Sequence, residues 1–245
     1  MNRDEFNTHI SGQLNRNLEA LFNQVLEMGG LVEQQLNDLN RALENNDYAL
    51  AHSAMLLDKT INKEEIEIDR LCANVLARQQ PTASDLRLIV MAIRVAIDLE
   101  RMGDEAVKIA KLAMEQCSTN RDCTQMPAYG YLRQLMQASS EMIQKSLNGF
   151  SRLDISDVMS VYREEEQMDE VLKQAMAAIQ QELLAADSAD KVDLQVRMLM
   201  AVRAAERITD HALNIGESVV YLVKGKDIRD LDEEAMRQLL EDNAR

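Results

Sequence analysis

One stretch of this chain occurs twice. Asp98-Leu99-Glu100-Arg101-Met102-Gly103-Asp104-Glu105-Ala106-Val107-Lys108-Ile109-Ala110 carries E-R-x-x-D and then an Ile at position 109. Ala204-Ala205-Glu206-Arg207-Ile208-Thr209-Asp210-His211-Ala212-Leu213-Asn214-Ile215-Gly216 carries the same pattern, with its Ile at 215. A match of this kind across 245 residues makes the chain one unit used twice. Glu and Asp at i and i+4 lie on one face of a helix, a turn apart, and repel each other by about 0.2–0.5 kcal/mol. A fold that repeats this arrangement has something cationic to place against it.

The rest of the chain favours helices. It holds 2 Pro and 8 Gly, so breakers are scarce and turn chemistry for sheets is lacking. Apolar residues recur every three or four positions. The first helix, about Asp4 to Asn45, has Leu14, Leu18, Leu21, Val25, Met28, Val32, Leu36, Leu39 and Leu43 on one face. The Gly29-Gly30 pair within it implies close approach of a neighbouring helix. Asp47 is a good N-cap for a second helix, about Tyr48 to Gln79, in which Asp58, Asn62, Glu65 and Asp69 share a face. Pro81 disfavours helix at the residue before it, and Thr82 or Ser84 can cap a third helix, about Asp85 to Glu115. Its stripe of Leu86, Val90, Ile93 and Ile97 runs on into Glu100, Asp104 and Val107, so acids stand where the period asks for Leu. A carboxylate there is costly unless it is paired or bound to metal.

Ser118 to Pro127 is polar and marks the boundary between halves. The fourth helix covers about Ala128 to Arg152, the fifth about Ile155 to Ala186 and the sixth about Asp190 to Val223. Glu165 then matches Asp58, and Asp169 matches Asn62. The sixth helix carries Val192, Val196, Leu199 and Val202 into Glu206, Asp210 and Leu213, and Glu217 extends the acidic face. The expected fold is all-α: two tandem, repeat-related three-helix bundles at 1–120 and 121–226, with a short charged tail at 227–245.

A formal charge of −15 argues against nucleic acid as a partner and against direct membrane binding. No apolar run reaches the roughly 18 residues of a membrane span. The polar opening, Met1 to Phe6, lacks a signal-peptide pattern, so a cytoplasmic location is expected. Cys72, Cys117 and Cys123 are odd in number and read as reduced thiols.

The run Arg78-Gln79-Gln80-Pro81-Thr82-Ala83-Ser84-Asp85-Leu86-Arg87, with Leu99-Glu100-Arg101-Met102-Gly103-Asp104, Met28-Gly29-Gly30-Leu31-Val32-Glu33 and the second E-R-x-x-D, resembles the PhoU family. The resemblance spans nearly the whole chain. It implies an accessory regulator of high-affinity phosphate transport that is cytoplasmic and homodimeric. Such a protein represses the phosphate-starvation response by contacting the transporter ATPase and the phosphate-sensing histidine kinase. Some members bind metal clusters, which implies Mg, Mn, Fe or Zn on Glu165, Asp169, Glu206 and Asp210, with Asp58, Glu100 and Asp104 in the first half. There Asn62 replaces the usual Asp, and Lys108 is expected to pair with Asp104, so the second half is the better metal candidate.

The plainer reading of the acids is interhelical salt bridging to Arg94, Arg101, Arg203 and Arg207. His211 reads as a surface or packing residue rather than a ligand, and Arg87, just inside the third helix, as a solvated helix end, with a partner contact as the sharper alternative. Against the non-enzymatic adaptor stand two alternatives. A di-metal carboxylate enzyme needs Glu-x-x-His pairs, of which the chain has none. A histidine phosphotransfer module would need His211 free on a helix face.

Overall fold

The computed structural model describes residues 12–79, 81, 83–119, 123–229, 231, 234, 235, 238 and 239. Six helices follow in order: α1 (Gly12–Asn45), α2 (Tyr48–Gln79), α3 (Ala83–Thr119), α4 (Pro127–Arg152), α5 (Val158–Leu184) and α6 (Ala189–Lys224). One 3-10 turn, Cys123–Gln125, precedes α4. No strand occurs among the described residues. Residues 4–11 of the first expected helix, Thr82, and most of the charged tail lie outside the described residues.

Local chemistry sets the ends. The Asp47 carboxylate accepts from the Ala49 and Leu50 amides at 2.9 and 3.1 Å, so it caps α2 as its sequence position predicts. Pro127 opens α4, where a missing N–H costs nothing. Ser188 Oγ accepts from the Lys191 amide at the start of α6. Gly225 ends α6 with φ 70°, a left-handed conformation that glycine adopts without strain.

Each trio of helices buries one apolar seam. Leu18, Leu21, Val25, Met28, Val32 and Leu36 of α1 are completely buried, as are Leu132, Leu135 and Met136 of α4. Each such side chain contributes about 1.5–3 kcal/mol. The two trios then pack together antiparallel, α3 against α6 and α1 against α4. Phe22 stacks on Phe150 with ring centroids 4.8 Å apart. Nearer the other end of α1, the Tyr129 hydroxyl donates to the Leu43 carbonyl at 2.6 Å and Asn40 Nδ2 donates to Ser140 Oγ at 2.9 Å. Arg133 pairs with Glu44 across the same seam. α2 and α5 thus stand outside a central layer of α1, α3, α4 and α6.

The Gly29-Gly30 pair divides. A Cβ on Gly29 would sit 2.7 Å from Leu147 Cδ2, which is the close helix approach expected, whereas nothing lies within 4 Å of one on Gly30. At Gly149, in the last turn of α4, a Cβ would meet the Asp154 carbonyl oxygen at 2.8 Å, and backbone cannot swing aside. Gly149→Ala is therefore expected to destabilise by about 1–3 kcal/mol through overpacking. Gly30→Ala should stabilise by up to about 1 kcal/mol through helix propensity alone. Urea denaturation of the two variants checks both signs.

Candidate functional site

The acid-bearing stripes of α3 and α6 run along the edge of the core, and in α6 Val202 and Glu206 dip into it. In α3 the core is Leu88, Ala92, Val95, Leu99, Met102 and Ala106, all completely buried, whereas Leu86 is 43% and Ile97 39% exposed. In α6, Val192 and Val196 are likewise partly exposed. The stripe that runs into the carboxylates lines a groove open to water. Asp104 and Asp169 are exposed, Asp58, Glu100, Glu165 and Asp210 half-buried and Glu206 buried, and this access to water explains how the fold tolerates most of them.

In the second half, the groove between α5 and α6 brings Glu165, Asp169, Glu206 and Asp210 together. Glu165 is half-buried, and its pKa is pushed up to about 7 by burial first and then by Asp169, Asp210, Glu166 and Glu206. Glu206 is 8% exposed. Burial and then Asp210 raise its pKa, against the pull of Arg203. Arg203 Nη1 donates to Glu206 Oε1 at 3.1 Å. Glu206 Oε2 is buried and has no hydrogen-bond partner among the described residues. Asp210 is raised by burial and by Asp169, with His211, Arg203 and Arg207 opposing.

The first half repeats this between α2 and α3. Burial and then Asp104 raise the pKa of Asp58. Burial, Asp104, Glu65 and Asp58 raise that of Glu100, with Arg101 opposing. Asn62 Nδ2 donates to Asp58 Oδ2 at 3.5 Å, while Asp58 Oδ1 and Asn62 Oδ1 are buried without partners among the described residues. A Cβ on Gly103 would lie 3.0 Å from Asp58 Oδ1, so the glycine makes room for this carboxylate. All seven acids singled out from sequence thus fall into two matching groups. Among the described residues, however, no three His, Cys, Asp or Glu side chains are gathered in an arrangement that could hold a metal ion.

Several partners differ from expectation. Lys108 Nζ bonds to Glu105 at 2.6 Å rather than to Asp104, so it does not occupy the first acid group. Arg207 Nη1 reaches across to the same Glu105 at 3.2 Å. Glu105, 7% exposed and beside the repeated motif, is the acid that sequence reasoning missed. Its neutralising Arg207 belongs to the other repeat, and nothing local in the sequence marks the pairing. His211 packs as expected: its Nδ1 lies 2.9 Å from Asp98 Oδ1, which also accepts from Asn214 Nδ2 at 3.3 Å.

Glu217 does not extend the second acid group. It lines a separate cavity of about 300 Å³ with Arg94, Asp98, Tyr221, Asp227 and Arg229. Burial pushes its pKa up to about 7, Arg229 opposing. Arg87 rests against the C-cap of α6, with Nη1 3.4 Å from where a Gly225 Cβ would stand. A guanidinium at a helix C-terminus meets the negative end of the helix dipole. In the folded chain Arg87 is thus an internal contact between the halves.

Comparison with known proteins agrees with this architecture. The family model for the PhoU domain matches twice, at residues 25–113 and 132–219. The phosphate-specific transport system accessory protein PhoU homolog of Pseudomonas aeruginosa is 37% identical over 243 residues, covering 99% of this chain and 98% of that protein. The phosphate-specific transport system accessory protein PhoU of Escherichia coli K12 is 36% identical, covering 96% of this chain and 95% of that protein. The crystal structure of PhoU from Pseudomonas aeruginosa superposes with a TM-score of 0.79 at 38% identity, over 86% of this chain and 99% of that one. The phosphate transport system regulatory protein PhoU from Streptococcus pneumoniae gives 0.74 at 28% identity, over 86% and 96%. With two domain matches that coincide with its two helical trios, and relatives alike along their whole length, the chain belongs to the PhoU family.

Proposed function

We propose that this protein is a non-enzymatic regulatory adaptor of phosphate uptake. It acts in the cytoplasm as a homodimer, contacting the phosphate transporter's ATPase subunit and a phosphate-sensing histidine kinase, and reaches the membrane only through them. The observation that carries the reading is end-to-end likeness to proteins named as accessory to, or regulatory of, phosphate transport. Its acidic surface suits basic partner faces. The di-metal enzyme reading has no Glu-x-x-His to support it. The phosphotransfer reading meets a His211 whose Nδ1 is already engaged by Asp98.

The acid groups fit a hard cation in donor chemistry. Each offers oxygen ligands, and each holds a buried oxygen without a hydrogen-bond partner among the described residues, Asp58 Oδ1 in one and Glu206 Oε2 in the other. In this reading Glu165, Asp169, Glu206 and Asp210 turn inward to hold Mg, Mn, Fe or Zn. Asp58, Glu100 and Asp104 do the same in the first half. The ion supplies fixed positive charge against crowded carboxylates.

Three outcomes are expected. In a pull-down at high phosphate, the transporter ATPase co-elutes with this protein; no association would overturn the adaptor. Elemental analysis finds bound metal in wild type and a clear loss in the Glu206→Ala/Asp210→Ala double variant; equal content removes the second-half site. The third concerns pH. An acid whose pKa rises on folding, as Glu165 does from 4.5 to about 7, holds its proton more tightly folded than unfolded. Its contribution is full below its unfolded pKa and is lost as pH climbs toward 7. In chelator, wild type should therefore lose stability relative to Glu165→Gln between these limits, by on the order of 1 kcal/mol after solvent screening. Urea titrations of both proteins across that range check the difference, and parallel profiles would refute it.

A further inference from the structure

The second acid group fills only one end of its groove. Past Asp169 the same stripe of α5 continues as Leu172, Met176, Ile179 and Leu183. From Glu206 toward its start, α6 continues it as Leu199, Val196 and Val192. Leu172, Met176, Ile179, Leu183 and Leu199 line an open, largely apolar hollow of about 510 Å³, with Lys173 and Gln180 on its rim, and Val196 and Val192 continue the α6 stripe beyond it. Met176 is 39%, Val192 41% and Val196 42% exposed. Together they leave an apolar strip of the α5–α6 groove facing solvent.

The duplication shows that two of the apolar positions on α5 are not a structural requirement, whereas the α6 stripe keeps its apolar counterparts Leu86, Val90 and Ile93 on α3. At the positions matching Leu172 and Met176, the first half carries Glu65 and Asp69 in the equivalent groove. The first-half pair folds with acids at those two positions, so Leu172 and Met176 are apolar where folding of this helix pair does not demand it. Charge identifies the occupant. Beyond one end of the hollow stand the four carboxylates, of which, among the described residues, Glu206 is ion-paired, to Arg203. A second copy of a chain with net charge −15 would bring more negative charge to that end. A cationic group would relieve it.

We propose that the groove between α5 and α6 seats an amphipathic helix of a partner protein. The helix runs about three turns, roughly 16 Å, from Leu172 to Leu183. Its apolar stripe packs on Leu172, Met176, Leu183 and Leu199. Its Lys- or Arg-bearing end lies over Glu165, Asp169, Glu206 and Asp210. Met176, unbranched and polarizable, adapts to the shape of the incoming side chains. The inference rests on the groove alone and does not depend on the regulatory or metal reading, although a cation in the acid group would compete with the helix's charged end.

The test uses the full-length protein in chelator and a fluorescent, helix-stabilised peptide with Leu at i, i+4, i+7 and i+11 and Lys residues at one end. Fluorescence anisotropy should show binding to wild type. Changing the Leu residues to Ser, or the Lys residues to Glu, should each weaken it at least about tenfold, as should Met176→Asp/Val196→Asp in the protein. These two positions are exposed, and an unchanged thermal melt by circular dichroism confirms that the variant is folded. Equal binding by all peptides, equal binding by wild type and the variant, or no binding by the Lys peptide overturns the proposal. So does self-association of wild type in sedimentation that Met176→Asp/Val196→Asp abolishes, because the groove would then belong to a second copy.

Discussion

Carboxylates that crowd one another while half out of water are the constraint on which the rest of this architecture depends. Burial and mutual repulsion act in the same direction on Glu165, Glu206, Asp210, Asp58 and Glu100, and all five pKa values rise. Such a group can exist only where water or a cation has access. The outer sides of the α2–α3 and α5–α6 pairs are therefore left open, and each half stops at three helices. Inside the molecule, where α3 meets α6, the rule is the opposite one. Glu105 is covered because Lys108 and Arg207 both reach it, and Asp98 because His211 and Asn214 do. Charge is paired at the seam and left unbalanced in the grooves.

The two halves share a backbone plan and differ in the chemistry laid on it. Asn62 stands where Asp169 does, and Gly103 where Thr209 does. Gly103 lets Asp58 sit close against α3, whereas the Thr209 hydroxyl donates back to the Glu206 carbonyl at 2.6 Å. The shorter Asp58 needs that space to approach; the longer Glu165 reaches its groove without it. Repetition fixed the location of the acids, and divergence set how each group presents them.

The six helices were legible because their signal is local. Periodicity, Asp47, Pro127 and the glycine after Lys224 each act within a turn or two of where they stand, and the observed ends follow them closely. The groove was legible only in part. Sequence placed all seven acids in two matching groups, but a stripe of Leu86, Val90, Ile93 and Ile97 reads as core when it lines a half-open channel. Periodicity reports a face without saying what covers it. At the seam, interhelical pairing by Arg207 and packing of His211 were legible, but their partners were not. Arg207 with Glu105, His211 with Asp98 and Arg87 with the end of α6 join residues from opposite repeats, and only the antiparallel packing of α3 on α6 brings them together.

On α5 the change from acid to apolar takes place between Asp169 and Leu172, less than a turn of helix, and on α6 between Glu206 and Leu199. The two ends are therefore not separate sites but neighbours on the same pair of helices. A cation held by the carboxylates would cancel the field that draws a basic helix end. A basic helix end would in turn cancel the field that draws a cation. Linkage makes this antagonism reciprocal, with the same free energy felt by either ligand. Were both occupants to bind, this proximity would let one report on the other without any movement of the helices that carry the acids.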